Sequence, residues 1–234
     1  MAKIHLIIPA AGKGSRAGSP LPKQFSSIGT KTIIEWIEFI FSNVSSISSI
    51  SIAVNPNEHY IENIALRFSA KTTVYKSGGD TRSETVLNTL NHIKKNVDSN
   101  DWVMVHDAAR LGINESMINK FISEIDGHKV GGIMAIPVSD TVKRVDKLGI
   151  IIGTENRNEI WLAQTPQMFR YKILKKAIEQ FEGSPTDECE AVELLGLKPK
   201  IFPGNTSNFK VTYPEDMEHI KAIFHPDSEG ETND

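Results

Sequence analysis

The chain has 234 residues, 39% of them hydrophobic and 24% charged, enough apolar material for the core of one large α/β domain spanning 1–234. A net charge of −3 offers no basic footprint for a duplex, so nucleic acid is not expected as a partner and any positive field must be confined to a pocket for a small anion. The single Cys189 excludes an internal disulfide, and no apolar run is long enough for a membrane span or a signal peptide, which makes cytoplasm the default location.

The first predicted element, an apolar strand at 3–8, runs into Pro9-Ala10-Ala11-Gly12-Lys13-Gly14-Ser15-Arg16, followed by Pro22-Lys23-Gln24. Small residues let backbone N–H groups converge on an anion without interference from Cβ atoms, so Ala10 to Gly14 reads as a phosphate cradle. Arg16 and Lys23 add cations where phosphate charge would grow, an arrangement suited to phosphoryl or nucleotidyl transfer. The stretch from Gly12 to Ala17 also fits the dinucleotide fingerprint. Pro20 and Pro22 interrupt the helix that fingerprint requires, and the next strand ends in Asn55-Pro56 rather than in an acid for the ribose. A P-loop is excluded because no Gly-Lys-Ser/Thr stands at the required spacing.

Strands and helices then alternate. A helix at 32–42 opens on the capping box Thr32-Ile33-Ile34-Glu35 and turns Ile33, Trp36, Ile37, Ile40 and Phe41 inward. Strands follow at 50–54, 72–75, 102–106 and 130–136, with helices at 58–69, 82–95 and 115–125 between them. That order predicts a mostly parallel sheet covered on both faces. Ligands in such sheets bind beyond the carboxyl ends of strands, so the loops after Ile8, Tyr75, Val105 and Ile136 should share one rim. After Pro137 the pattern changes: Thr141–Val145 and Ile150–Ile152 flank Asp146-Lys147-Leu148-Gly149, a hairpin that protrudes as an arm over about 137–160 and needs a packing partner. Helices near 170–182 and 187–195, a strand near 200–202 and a helix from Pro214 complete the prediction. The polar tail, about 225–234, reads as disordered.

The rim loops carry the candidate chemistry. Ser77 to Thr85 holds paired glycines that permit close backbone approach, although a plain glycine turn with an N-cap explains them equally well. Val105-His106-Asp107-Ala108-Ala109-Arg110 offers Asp107 as a ligand for Mg2+ and Arg110 for a substrate phosphate, with His106 read as a hydrogen-bonded strand-end residue.

In order along the chain, Pro-Ala-Ala-Gly-x-Gly-x-Arg, Pro-Lys-Gln, Gly-Gly-Asp-x-Arg, His-Asp-Ala-Ala-Arg, Asp-Thr-x-Lys-Arg, Thr-Pro-Gln-x-Phe, Thr-Asp-Glu and Asn-x-Lys-Val-Thr resemble the 2-C-methyl-D-erythritol 4-phosphate cytidylyltransferases from residue 7 to about 217. The resemblance implies a Rossmann-like nucleotidyltransferase fold of the GT-A type. It also implies transfer of CMP from CTP to methylerythritol phosphate, with Mg2+, in the non-mevalonate isoprenoid pathway. It places CTP on Pro9, Ala10, Ala11, Gly12, Lys13 and Gly14, with Arg16 and Lys23 catalytic. Gly79, Asp80 and Thr85 fall where the family reads cytosine, and Asp107 with Ala108 where it holds ribose and metal. Arg110, Thr141, Arg157, Thr165 and Lys210 fall on the methylerythritol phosphate site, Lys210 also reaching the CTP phosphates. The arm would be exchanged in a homodimer, bringing Arg157 to the neighbouring site.

Three positions depart from the family pattern: Leu111 for a usual Pro, Ala17 for a common Met and Thr85 for a common Ser. The rival enzyme is a ribitol 5-phosphate cytidylyltransferase, which shares the fold and its cations. Ala10-Ala11-Gly12 and His106 to Arg110 tilt the comparison toward methylerythritol phosphate. A nucleotide-binding module without turnover is the rival of another class, and Arg16, Lys23 and Lys210 together argue against it.

Overall fold

The computed structural model describes residues 2–12 and 22–224; the tail expected to be disordered lies outside them. Strand β1 (Ile4–Pro9) leads toward a short hairpin of β2 (Ser27–Ile28) and β3 (Lys31–Thr32), which the sequence reading did not anticipate. Gly29, with φ of 60°, supplies the left-handed turn between the two strands. Helix α1 (Ile33–Ser42) starts where the capping box predicts: Glu35 N–H donates to Thr32 Oγ1, and Thr32 N–H donates to Glu35 Oε2 at 2.9 Å. Then come β4 (Ile47–Ala53), α2 (Tyr60–Ala65), β5 (Thr72–Tyr75), α3 (Arg82–Ile93), β6 (Trp102–Val105), α4 (Glu115–Ile125) and β7 (Gly131–Pro137). The arm is β8 (Lys143–Val145) with β9 (Ile151–Thr154), and the chain returns through β10 (Trp161–Arg170), α5 (Tyr171–Gln180), α6 (Glu188–Leu194), β11 (Lys200–Pro203) and α7 (Pro214–Phe224).

The central sheet has the order β11-β7-β10-β6-β1-β4-β5. All described neighbours are parallel except β10, which runs antiparallel between β6 and β7. β10 is the principal element missing from the sequence reading. Its irregularity between Ala163 and Gln167 coincides with Pro166, which has no N–H to give to a ladder. The consequence for the site is direct. The carboxyl ends of β1, β4, β5, β6 and β7 meet the amino-terminal half of β10 at one rim, so a residue such as Thr165 faces the loop after β6.

Alternation along the strands divides the core. Ile4, Leu6 and Ile8 pack on one face with Ile33, Ile37 and Phe41 of α1 and Ile118 and Phe121 of α4. Ile7, Val103 and Val105 pack on the other with Val86 and Leu90 of α3, Leu174 and Ile178 of α5, and Val192 of α6. Leu111, one of the three departures, is fully buried in the first cluster, where its isobutyl group fills core volume. The arm carries no such cover. Asp146 Oδ1 accepts from the amides of Leu148 and Ile150, both at 2.9 Å, and Gly149 (φ 81°) completes the turn, leaving Leu148, Ile150, Ile151 and Ile152 exposed.

Candidate active site

At the rim a cavity of about 600 Å3 opens, and Pro9, Ala10, Ala11, Gly12, Lys23, Gly79, Asp80, Thr85, Asp107, Ala108 and Lys210 all line it. Lys13, Gly14, Arg16 and Ala17 lie outside the described residues. The first wall is the chain leaving β1. Ala10 N–H donates to Ala53 O at 2.7 Å, and buried Gln24 turns its amide to Ala10 O at 2.7 Å and Gly12 O at 3.0 Å. With its carbonyls tied down on the Gln24 side, this stretch is fixed in shape before an anion arrives. Lys23 Nζ donates to Val211 O at 2.7 Å.

The second wall is the loop before α3. Gly78 has to be glycine here: a Cβ would lie 2.5 Å from Ala11 Cβ and 2.9 Å from Val54 O, so the two walls could not close together. Thr81, rather than Asp80, caps α3, accepting from Glu84 N–H, while Asp80 N–H donates to Glu84 Oε2 at 2.7 Å. Thr85 was assigned to the cytosine edge, but its hydroxyl accepts from Gly79 N–H and donates to Thr81 O, both at 3.0 Å. It braces the loop, and only its second lone pair remains for a ligand.

Asp107 is the electrostatic centre. Arg82 Nε lies 2.9 Å from Oδ1, Lys210 Nζ 2.9 Å from Oδ2, and Arg110 Nε 3.6 Å from Oδ2. Burial by itself would raise the Asp107 carboxyl, yet Arg82, Lys210 and Arg110 hold it well below the usual carboxylate range. Arg82 also donates to Glu188 at 2.6 Å; burial would depress its guanidinium, but Glu188 and Asp107 reverse that and keep it above its ordinary value. Arg110 is pulled down by burial against the attraction of Asp107. Its Nη1 donates to Asn208 O at 2.8 Å, while buried Nε has no hydrogen-bond partner.

Thr165 and His106 hold this centre from beneath. Arg110 O, 2.9 Å from His106 Nε2, can only accept, so that nitrogen carries the proton. Burial lowers the imidazole to about 4, which keeps it neutral at pH 7. Nδ1 is then the acceptor for the Thr165 hydroxyl at 3.1 Å, whose oxygen accepts the Asp107 amide at 3.0 Å. His106 is the hydrogen-bonded strand-end residue that the sequence suggested. The segment carrying Lys210 is stitched over the same loop, with Val211 N–H donating to Ala109 O at 2.8 Å and Ser207 Oγ to Gly112 O at 3.0 Å.

Thr141 and Arg157 stand apart. Both are exposed on the arm, neither lines the cavity of its own chain, and Arg157 Nη1 donates to Ser139 O.

A family model, IspD: 2-C-methyl-D-erythritol 4-phosphate cytidylyltransferase, matches residues 4–226. The chain belongs to this family. It is 40% identical over 226 residues to the 2-C-methyl-D-erythritol 4-phosphate cytidylyltransferase of Nitrosomonas eutropha, covering 95% of this chain and 97% of that one. The enzyme of the same name from Chromobacterium violaceum is 38% identical, with 93% and 96% covered. Among solved structures, a 4-diphosphocytidyl-2C-methyl-D-erythritol synthase superposes with a TM-score of 0.85 at 33% identity over 96% of this chain and 99% of that one. The Francisella tularensis cytidylyltransferase gives 0.76 at 32%, covering 94% and 98%.

Several cavity residues of this cytidylyltransferase family member were not singled out from sequence: Gln24, Asn55, Arg82, Ala109 and Thr212. Gln24 and Arg82 sit inside motifs whose neighbours were assigned. Asn55 follows β4, a carboxyl end left out of the rim loops, and the rule for parallel sheets would have found it.

Proposed function

We propose that this chain transfers CMP from CTP to 2-C-methyl-D-erythritol 4-phosphate. A phosphate oxygen of the acceptor attacks the α-phosphorus, the bond to the β-phosphate breaks, and pyrophosphate leaves. The observation that carries this reading is the convergence on one cavity of the β1 loop, Lys23, Lys210 and the Asp107 cluster in a chain of this family. Charge on the phosphates grows as the new bond forms, so Lys23 and Arg16 serve the transition state more than the ground state. The deciding assay is pyrophosphate release from CTP with methylerythritol phosphate and with ribitol 5-phosphate in turn; faster turnover with ribitol 5-phosphate would reject the assignment. Lys23→Ala is expected to lower kcat by about a hundredfold or more. A change confined to the KM for CTP would contradict the role given to Lys23.

Mg2+ is the proposed cofactor, with Asp107 as its protein ligand. Mg2+ is commonly held by one or two carboxylates together with substrate phosphates, and Asp107 offers such a carboxylate at the cavity. An ion on Oδ2 would require Lys210, 2.9 Å from that oxygen, to turn to those phosphates. Bound there, the ion would supply charge neutralisation along the triphosphate. The exposed apolar arm supports a homodimer in which Arg157 reaches across to the neighbouring active site. No described helix is long and apolar enough to cross a membrane, and a cytoplasmic location remains part of this proposal.

A further inference from the structure

At the end of the sheet opposite the nucleotide rim, a second cavity of about 660 Å3 opens beside the start of α5. Its volume lies in the range of small-molecule sites, roughly 300–1,000 Å3. The wall is divided by chemistry. Ile173, Leu195 and Leu197, all half-buried and packed on the second core cluster, form an apolar floor. Lys129, Arg170, Lys172 and Lys176 stand around it.

None of these four cations forms an ion pair among the described residues, although adjacent Lys175 does, with Glu179. Arg170 is held in place: Nη1 donates to Asn100 O at 2.8 Å, and the guanidinium carbon lies 3.6 Å from the centre of the Trp102 ring. Like charges around one opening repel. Arg170 and Lys172 also sit at the positive end of α5, which has no acidic residue in its first turn to offset them. An anionic head would relieve both terms, and guanidinium and ammonium groups together suit a phosphate. The apolar floor calls for a tail.

We propose that this cavity binds a phosphate-headed molecule with an aliphatic tail, the head among Arg170, Lys172 and Lys176 and the tail on Ile173, Leu195 and Leu197. β10 runs from Thr165 at the nucleotide rim to Arg170 here, so the occupant and CTP are bound at opposite ends of one strand and do not compete.

The test is calorimetric titration with octyl phosphate at fixed ionic strength, with CTP present to fill the nucleotide cavity. Saturable binding is expected, about tenfold or more tighter than that of inorganic phosphate or octanol, because head and tail are both recognised. Hexyl phosphate should bind more weakly, by up to about fourfold per lost methylene. The double variant Lys172→Gln/Lys176→Gln should lose about tenfold or more while releasing pyrophosphate at the parental rate. Absence of saturable binding, equal affinity for head or tail alone, or parental affinity in the double variant overturns the proposal. So does binding to phosphatidylglycerol vesicles without binding to monomeric octyl phosphate, which would make this face a membrane contact instead.

Discussion

Gln24 shows how a buried polar side chain can serve a reaction without touching the reacting atoms. Its amide holds Ala10 O and Gly12 O, so Gln24→Leu keeps the bulk and removes both bonds. The loop then loses its fixed shape, and the buried Ala10 carbonyl loses a donor at a cost of about 1–3 kcal/mol, while the Gly12 carbonyl can turn to water. KM for CTP should rise about tenfold with a smaller change in kcat, which steady-state kinetics would resolve. Arg82 is a structural counterpart. Removing it in Arg82→Met strands the buried Glu188 carboxylate, while Asp107 keeps Lys210 and Arg110, and should cost about 3–5 kcal/mol in urea unfolding. Adding Glu188→Leu removes the stranded charge, so the double variant should regain part of that loss; simple addition of the two single losses would show that the residues are not coupled. His106 sets a pH dependence. Its folded pKa of about 4 lies below the ordinary 6.5, so the unfolded chain takes up the proton first. The stability tied to the neutral ring is complete above about pH 6.5 and declines as the pH falls toward about 4, by about 3 kcal/mol in total. His106→Gln, whose amide can still donate and accept, should show a flatter fall in urea midpoint between pH 7 and 4.5 than the parent.

At the level of elements, legibility followed from how locally each signal was written. α1 announced itself through Thr32 and Glu35 and the spacing of Ile33, Ile37 and Phe41, all within one stretch of chain. The β1 loop was legible because a run of small residues after an apolar strand has few other uses. β10 had no comparable signal: Gln164, Pro166 and Gln167 break its alternation, and its partners β6 and β7 are supplied by distant sequence. The polar residues of this stretch serve the site and its surroundings. Gln164 Nε2 donates to Asn205 O, Gln167 Nε2 to Asp187 Oδ2, and the Thr165 hydroxyl anchors Asp107, so the strand departs from pattern where it supports function. Arg82 escaped notice for the opposite reason. A cation in the first turn of a helix resembles ordinary surface charge, and only the fold reveals the two carboxylates it joins. Thr85 was found by motif, but its task of bracing Gly79 depends on a hydrogen bond that spacing alone does not disclose.

The whole molecule raises a question of completeness. The cavity gathers Lys23, Arg82 from the start of α3 and Lys210 from the segment before α7, yet Thr141 and Arg157 project on an arm whose apolar side chains have no cover in their own chain. If Arg157 serves the neighbouring subunit, each active site takes Lys23 from one chain and Arg157 from the other. Arg157→Ala and Lys23→Ala homodimers then lack one essential group in both sites. Subunit exchange between them creates dimers with one site carrying both lesions and one carrying neither. Equimolar exchange yields about half mixed dimers, so activity should return to about a quarter of the parental value per chain. If Arg157 acted within its own chain, both sites of the mixed dimer would stay defective. Pyrophosphate release measured before and after exchange, with mixed dimers quantified by a mass tag, separates the two arrangements; exchange without recovery would return Arg157 to its own subunit.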